Sequence, residues 1–278
     1  MRPIITLEEH FASPTVIASS DDAKAHYAHF PTRILDKLTD LGAGRVADLD
    51  RGHVSLQLDR CVTRLGFVGA LIENHLDGVF YDAERFWPVF AAAERLGAPV
   101  YLHPTFASDS MAAHHAGNYP DEVALALSAF GWGWHAETGL HVLRLFAAGV
   151  FDRFPALKLV IGHMGEMLPF QLDRCVSVSE RWPAKRRGLR QVWRENVWVT
   201  TSGMFSLTPL RCLLETMPIE HVLFSVDYPF SANEKGFEFL KEVQESGVIT
   251  GDDLDLFAYK NAEKLLGVTA THKPDATN

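Results

Sequence analysis

The chain has 278 residues and a formal charge of −9 at pH 7, with 47% hydrophobic and 22% charged residues. That balance sustains a sizeable core and argues against bulk disorder. No basic run stands out beyond Lys185-Arg186-Arg187, and no apolar stretch is long enough to span a bilayer. Nucleic acid and membrane are therefore poor partners for it. Cys61, Cys175 and Cys212 are scattered and odd in number, so they form neither a disulfide framework nor a Cys-type zinc site. They read as small buried apolar residues in a reducing compartment. The N-terminus carries no charged-then-apolar leader, which makes a cytoplasmic protein the expectation.

In chain order, Ile4-Ile5-Thr6-Leu7 predicts a first strand, and a helix follows near Pro31 to Leu41. His53 to Gln57 reads as a short strand. Leu58, Cys61, Val62 and Leu65 then share one helical face, and Gly66 ends that helix. Phe67 to Ile72 is a continuous apolar run of the buried parallel kind. Phe86, Val89, Phe90 and Ala93 place a helix over 83–96, with Pro88 early enough to be tolerated. Pro99 to His103 is a strand, and the polar segment from Pro104 to about Asp121 reads as a long loop. Further helices are expected near 137–151, 167–180, 206–215, 234–245 and 252–266, with strands near 158–162, 197–201 and 221–226. The tail from Lys273 is polar. No repeat or interdomain linker interrupts the pattern, so residues 1–278 are expected to form one domain. Alternating strands and helices predict a parallel sheet with flanking helices, of the (β/α) barrel type.

Four strand-end words finish on metal-type ligands: Leu7-Glu8-Glu9-His10, Val100-Tyr101-Leu102-His103, Val160-Ile161-Gly162-His163 and Phe224-Ser225-Val226-Asp227. In a parallel barrel the C-terminal strand ends converge on one mouth, so ligands far apart in sequence can meet. Glu8 and His10 are two apart on a strand and share a face. A carboxylate and imidazoles suit Zn²⁺ or Mn²⁺. Glu166 follows His163 closely enough to orient its ring. A lone Asp227 would be costly to bury without a metal or a proton-transfer role. Arg174 suits an anionic substrate, although an ordinary ion pair is the competing reading.

The words Leu7-Glu8-Glu9-His10-Phe11, Leu65 to Ile72, Tyr101-Leu102-His103-Pro104, Gly162 to Glu166, Thr200-Thr201-Ser202-Gly203 and Phe224 to Phe230 spread over nearly the whole chain. In that order, they resemble the amidohydrolase-superfamily decarboxylases that act on hydroxylated benzoates. The resemblance implies one divalent metal held by Glu8, His10, His103 and Asp227. It implies proton handling by His163 and Glu166, and a small aromatic carboxylate met by Arg174 and Phe230. It further implies a nonoxidative carboxy-lyase that assembles as a homodimer or larger homo-oligomer. Members of that group carry one more β-α unit where Gln57 here runs straight into Leu58, so seven strands are expected rather than the eight of a closed barrel. Two other readings stand beside it: a metal-dependent hydrolase of the same superfamily, and a shortened noncatalytic relative that binds metal or a partner.

Overall fold

A computed structural model describes residues 54–270, apart from 76, 77 and 184. The first predicted strand, the helix near 31–41, and Glu8 and His10 lie outside the described residues. Numbering only helices of six or more residues, the order is α1 (Val54–Leu65), β1 (Ala70–Glu73), α2 (Trp87–Leu96), β2 (Val100–His103), α3 (Asp121–Ser128) and α4 (Gly133–Ala148). There follow β3 (Leu159–Ile161), α5 (Leu168–Ser179), α6 (Leu189–Asn196), β4 (Val197–Thr200), α7 (Leu207–Thr216), β5 (Val222–Leu223), α8 (Asn233–Ser246) and α9 (Asn261–Leu266).

Among the described residues the five strands are all parallel and lie in chain order, β1-β2-β3-β4-β5. A doubly wound sheet reverses its strand order at a switch point, whereas strands added in one direction are how a (β/α) barrel winds. All C-terminal strand ends therefore fall on one side, as the ligand pattern requires.

Strand register sorts the side chains. Val100, Leu159 and Val197 are aligned, as are Leu102, Ile161 and Val199. These residues belong to the main core, with Phe90, Leu145, Leu172 and Trp193 from the helix layer. Each such Leu or Ile contributes about 1.5–3 kcal/mol relative to exposure. The alternate residues Tyr101, Val160 and Trp198 face the other way and cluster with Leu223, Ala262 and Leu265. Asn261 ties α9 to β5 by donating from Nδ2 to the carbonyls of Ile219 (2.7 Å) and Val222 (2.9 Å).

Two expectations are corrected. Residues 54–57 are helical, not a strand, because α1 begins at Val54. The helical spacing of Leu58, Cys61, Val62 and Leu65 extends back to Val54, and the five-residue alternation of Val54 and Leu56 with polar neighbours is ambiguous in isolation. The segment after Pro104 is not all loop: it holds helical turns at Asp109–Ala112 and Ala113–His115, and then α3. Among the described residues β1 is one edge of the sheet. Leu71 on it is 45% exposed, while its register partner Tyr101 is 6% exposed.

Candidate active site

His103 is the last residue of β2, and His163 follows β3 after a single glycine. Their ring centroids lie 6.4 Å apart. Strand pairing of β2 with β3 brings the two imidazoles together although they lie sixty positions apart in sequence.

The backbone after β3 is unusual. His163, Met164, Gly165, Glu166 and Met167 all have positive φ, from 47° to 92°. Only one of the five is glycine. A left-handed turn brings Cβ against the following carbonyl and costs about 1–2 kcal/mol per L-residue. Such strain concentrates at functional sites, where packing over-determines it. Here α4 approaches so closely that a Cβ on Gly139 would lie 2.6 Å from the Glu166 carbonyl oxygen. Trp193 and Pro169 close in on Gly165 from another side.

The turn sets residues i and i+3 on one side. His163 Nδ1 and Glu166 Oε1 are 2.7 Å apart. The second carboxylate oxygen, Oε2, is 2.7 Å from His135 Nδ1 on the first turn of α4. The His135 and His163 rings meet edge to face at 4.8 Å. The Glu166 side chain has no solvent exposure. Burial pushes its carboxyl up, but His163 and His135, each within hydrogen-bond distance of it, outweigh this and hold it below the usual range. A carboxylate with two imidazole donors is thus the centre of this cluster. His135 was not singled out in the sequence, because its partner is 31 residues away and no spacing rule links them.

Beyond β4, Tyr101 Oη is 3.0 Å from both Thr200 Oγ1 and Ser202 Oγ. The Thr201 hydroxyl donates to the Ser225 carbonyl and accepts from the Ser225 N–H, which fixes the chain leaving β5. That chain delivers Asp227 at φ 67°, with its carbonyl accepting from the N–H groups of Phe230 (2.9 Å) and Ser231 (3.0 Å). Gly203 has φ 69°, and a Cβ there would lie 3.3 Å from Asp227 Oδ2 and 2.9 Å from Ser231 Oγ. The absent side chain is what lets this backbone pack so closely against the carboxylate.

The donors suit a divalent ion: one imidazole, His103, and one carboxylate, Asp227, on the chain leaving β2 and β5 of the same parallel sheet. His135, His163 and Glu166 also present donor atoms within 4.8 Å of one another and could hold a metal. They would do so only by surrendering two hydrogen bonds. Ligand atoms around a tetrahedral zinc sit roughly 3.3 Å apart, given bond lengths of about 2.0–2.1 Å. The two 2.7 Å contacts are closer than that and are those of shared protons. Arg174 is exposed on α5, and Phe230 is partly exposed in the turn after Asp227.

A parallel sheet wound in one direction, with imidazoles and a carboxylate at its C-terminal strand ends, defines a metal-type α/β-barrel enzyme. Residues 23–268 match the family described as Amidohydrolase, and the chain belongs to that family. It is 41% identical over 322 residues to the decarboxylase orsB of Emericella nidulans, covering 96% of this chain and 97% of the relative. That span is longer than the 278 residues here, so the relative has internal positions with no counterpart in this chain. A γ-resorcylate decarboxylase of Polaromonas sp. is 32% identical over 266 residues, covering 91% of this chain and 76% of the relative. Among solved structures, a dihydroxybenzoic acid decarboxylase from Polaromonas sp. JS666, with bound manganese and the inhibitor 2-nitroresorcinol, superposes with a TM-score of 0.77. It is 26% identical, covering 96% of this chain and 97% of that one.

Proposed function

We propose that this protein is a metal-dependent, nonoxidative decarboxylase of a hydroxylated benzoate. The observation that carries the reading is the strand-end set His103, His163–Glu166 and Asp227, on positive-φ backbone at two of its three places, in a chain matching decarboxylases along nearly its whole length. The names of these relatives favour decarboxylation over hydrolysis.

His103 and Asp227, with Glu8 and His10, would hold one Zn²⁺ or Mn²⁺. When bound, the metal acts as a Lewis acid toward the substrate's carboxylate and ortho oxygen. The remaining work falls to side chains. Asp227, protonated, delivers its proton to the ring carbon that bears the carboxylate. The carbon–carbon bond then breaks, its electron pair restores the aromatic ring, and CO₂ leaves. Asp227 must recover a proton before the next turnover. His163 has Nδ1 committed to Glu166, so Nε2 is the atom that serves the ortho hydroxyl proton. Arg174 and Phe230 would meet the substrate's charge and ring.

We also place the protein in the cytoplasm as a homo-oligomer. Three free cysteines support a reducing compartment, and exposed Phe130 and Phe170 support self-association. The test is metal content of the purified protein, with CO₂ release measured on a panel of hydroxybenzoates. About one metal per chain with release is expected. Folded protein with metal but no release from any hydroxybenzoate would mean that the shortened chain is a noncatalytic relative.

A further inference from the structure

We propose that His135 is a positioning residue that clamps Glu166 and thereby fixes the tautomer and orientation of His163. The inference rests on the decarboxylase reading for its kinetic consequence, but not for its geometry.

Both neighbours of the His135 ring are acceptors. Nε2 lies 3.1 Å from the Phe130 carbonyl, and Nδ1 lies 2.7 Å from Glu166 Oε2. An ionised carboxylate cannot donate, so it is His135 Nδ1–H that donates to Glu166. It thereby brings a hydrogen-bond donor to a carboxylate that has no solvent contact. An isolated anion at such a depth would be expensive, and a paired one is tolerated.

The consequence for His163 is geometric. A carboxylate held at one oxygen only can turn about its last bond. With Oε2 fixed by His135 from α4, Oε1 has a single direction in which to accept, and His163 Nδ1 occupies it. The loop carrying His163 and the helix carrying His135 are thus locked through one buried carboxylate. Charge-assisted hydrogen bonds of this length are about twice as strong as neutral ones.

The test uses full-length, metal-loaded enzyme with three substitutions. Asn places an amide N–H near the position of Nδ1, whereas Gln reaches toward the position of Nε2. His135→Ala and His135→Gln should lower kcat about 10- to 100-fold, the range typical for removing an orienting partner. KM should stay within about twofold, because the substrate contacts are untouched. His135→Asn should recover most of the loss. Equal kcat for Ala and Asn variants, or a change confined to KM, would overturn the proposal. A second readout needs no turnover. In ¹⁵N-histidine spectra, His163 should be the Nδ1–H tautomer in wild type and in His135→Ala should lose that single tautomer, with His135→Asn restoring it. Identical His163 signals in wild type and His135→Ala would refute the clamp. If wild type releases no CO₂, the decarboxylase reading fails while the spectra still decide the role of His135.

Discussion

His141 makes stability depend on pH in a way that can be worked out beforehand. It sits in α4 with no solvent exposure. Its Nε2 accepts from the Tyr81 N–H at 3.0 Å, and its Nδ1–H donates to Asn74 Oδ1 at 3.0 Å. Both nitrogens are satisfied only in the neutral ring, because a proton on Nε2 would face another N–H. Burial pushes this imidazole down to about 4, from an ordinary value of 6.5. Above pH 6.5 the ring is neutral in both folded and unfolded chains, and its environment contributes fully. As pH falls below 6.5 the unfolded chain takes up a proton that the folded chain refuses, and stability is lost until the folded ring also titrates. By pH 5 the loss is about 2 kcal/mol, at roughly 1.4 kcal/mol per pKa unit of difference.

The assay is urea unfolding of wild type and His141→Gln at pH 7 and pH 5, where carboxylate titration, including that of Glu137, which burial pushes up, is common to both proteins. The variant should be less stable at pH 7, because it disturbs two buried hydrogen bonds. The gap should close by about 2 kcal/mol at pH 5, since only wild type carries this linkage. His221, also pushed down by burial, leaves a slope of the same sign in both proteins. Parallel curves for the two proteins between pH 7 and pH 5 would refute the assignment of a neutral, depressed His141.

Other outcomes follow from the site. Asp227→Asn should abolish CO₂ release, because the amide cannot deliver the proton; retained release would remove Asp227 from that role. His103→Ala should lower bound metal per chain, and unchanged metal analysis would count against it as a ligand. Chelation should abolish activity and lower Tm reversibly, as expected for a ligand that binds only the folded state. Gly139→Ala places a Cβ 2.6 Å from the Glu166 carbonyl. Its overpacking cost of about 1–3 kcal/mol exceeds the gain of about 1 kcal/mol from replacing glycine in a helix. Activity should fall more steeply than stability, and wild-type kcat would show that the turn yields without consequence.

Strand ends were the most legible feature in the sequence. His103, His163 and Asp227 each close an apolar run before turn chemistry, and parallel winding then places them on one side. Boundaries were less legible. The alternating stretch at 53–57 reads as a strand, yet from Val54 it belongs to a helix, and only the longer period back from Leu65 says so. Helix α3 was missed for a physical reason: Val123, Leu125 and Leu127 alternate as in a strand, and all three are exposed rather than packed on one helical face. His135 is illegible because the helical spacing in the sequence begins near Glu137, and because its partner carboxylate is delivered by another element. Nor does sequence reveal that four non-glycine residues after β3 adopt positive φ.

That turn links the fold to the chemistry. Four L-residues at about 1–2 kcal/mol each approach the whole net stability of an ordinary domain, which is about 5–15 kcal/mol. The turn therefore persists only because its surroundings leave it no alternative. Met164 and Glu166 are buried, Gly139 lets α4 reach the backbone, and Trp193 with Pro169 encloses Gly165. The hydrogen bonds to Glu166 act in the same place, from His163 within the turn and from His135 outside it. A right-handed start to the next helix would relieve the strain but would give up these contacts with the carboxylate and its two imidazoles. The cost is thus sustained by the same contacts that align the proposed proton-handling group. Loosening α4 should degrade the site before it degrades the fold.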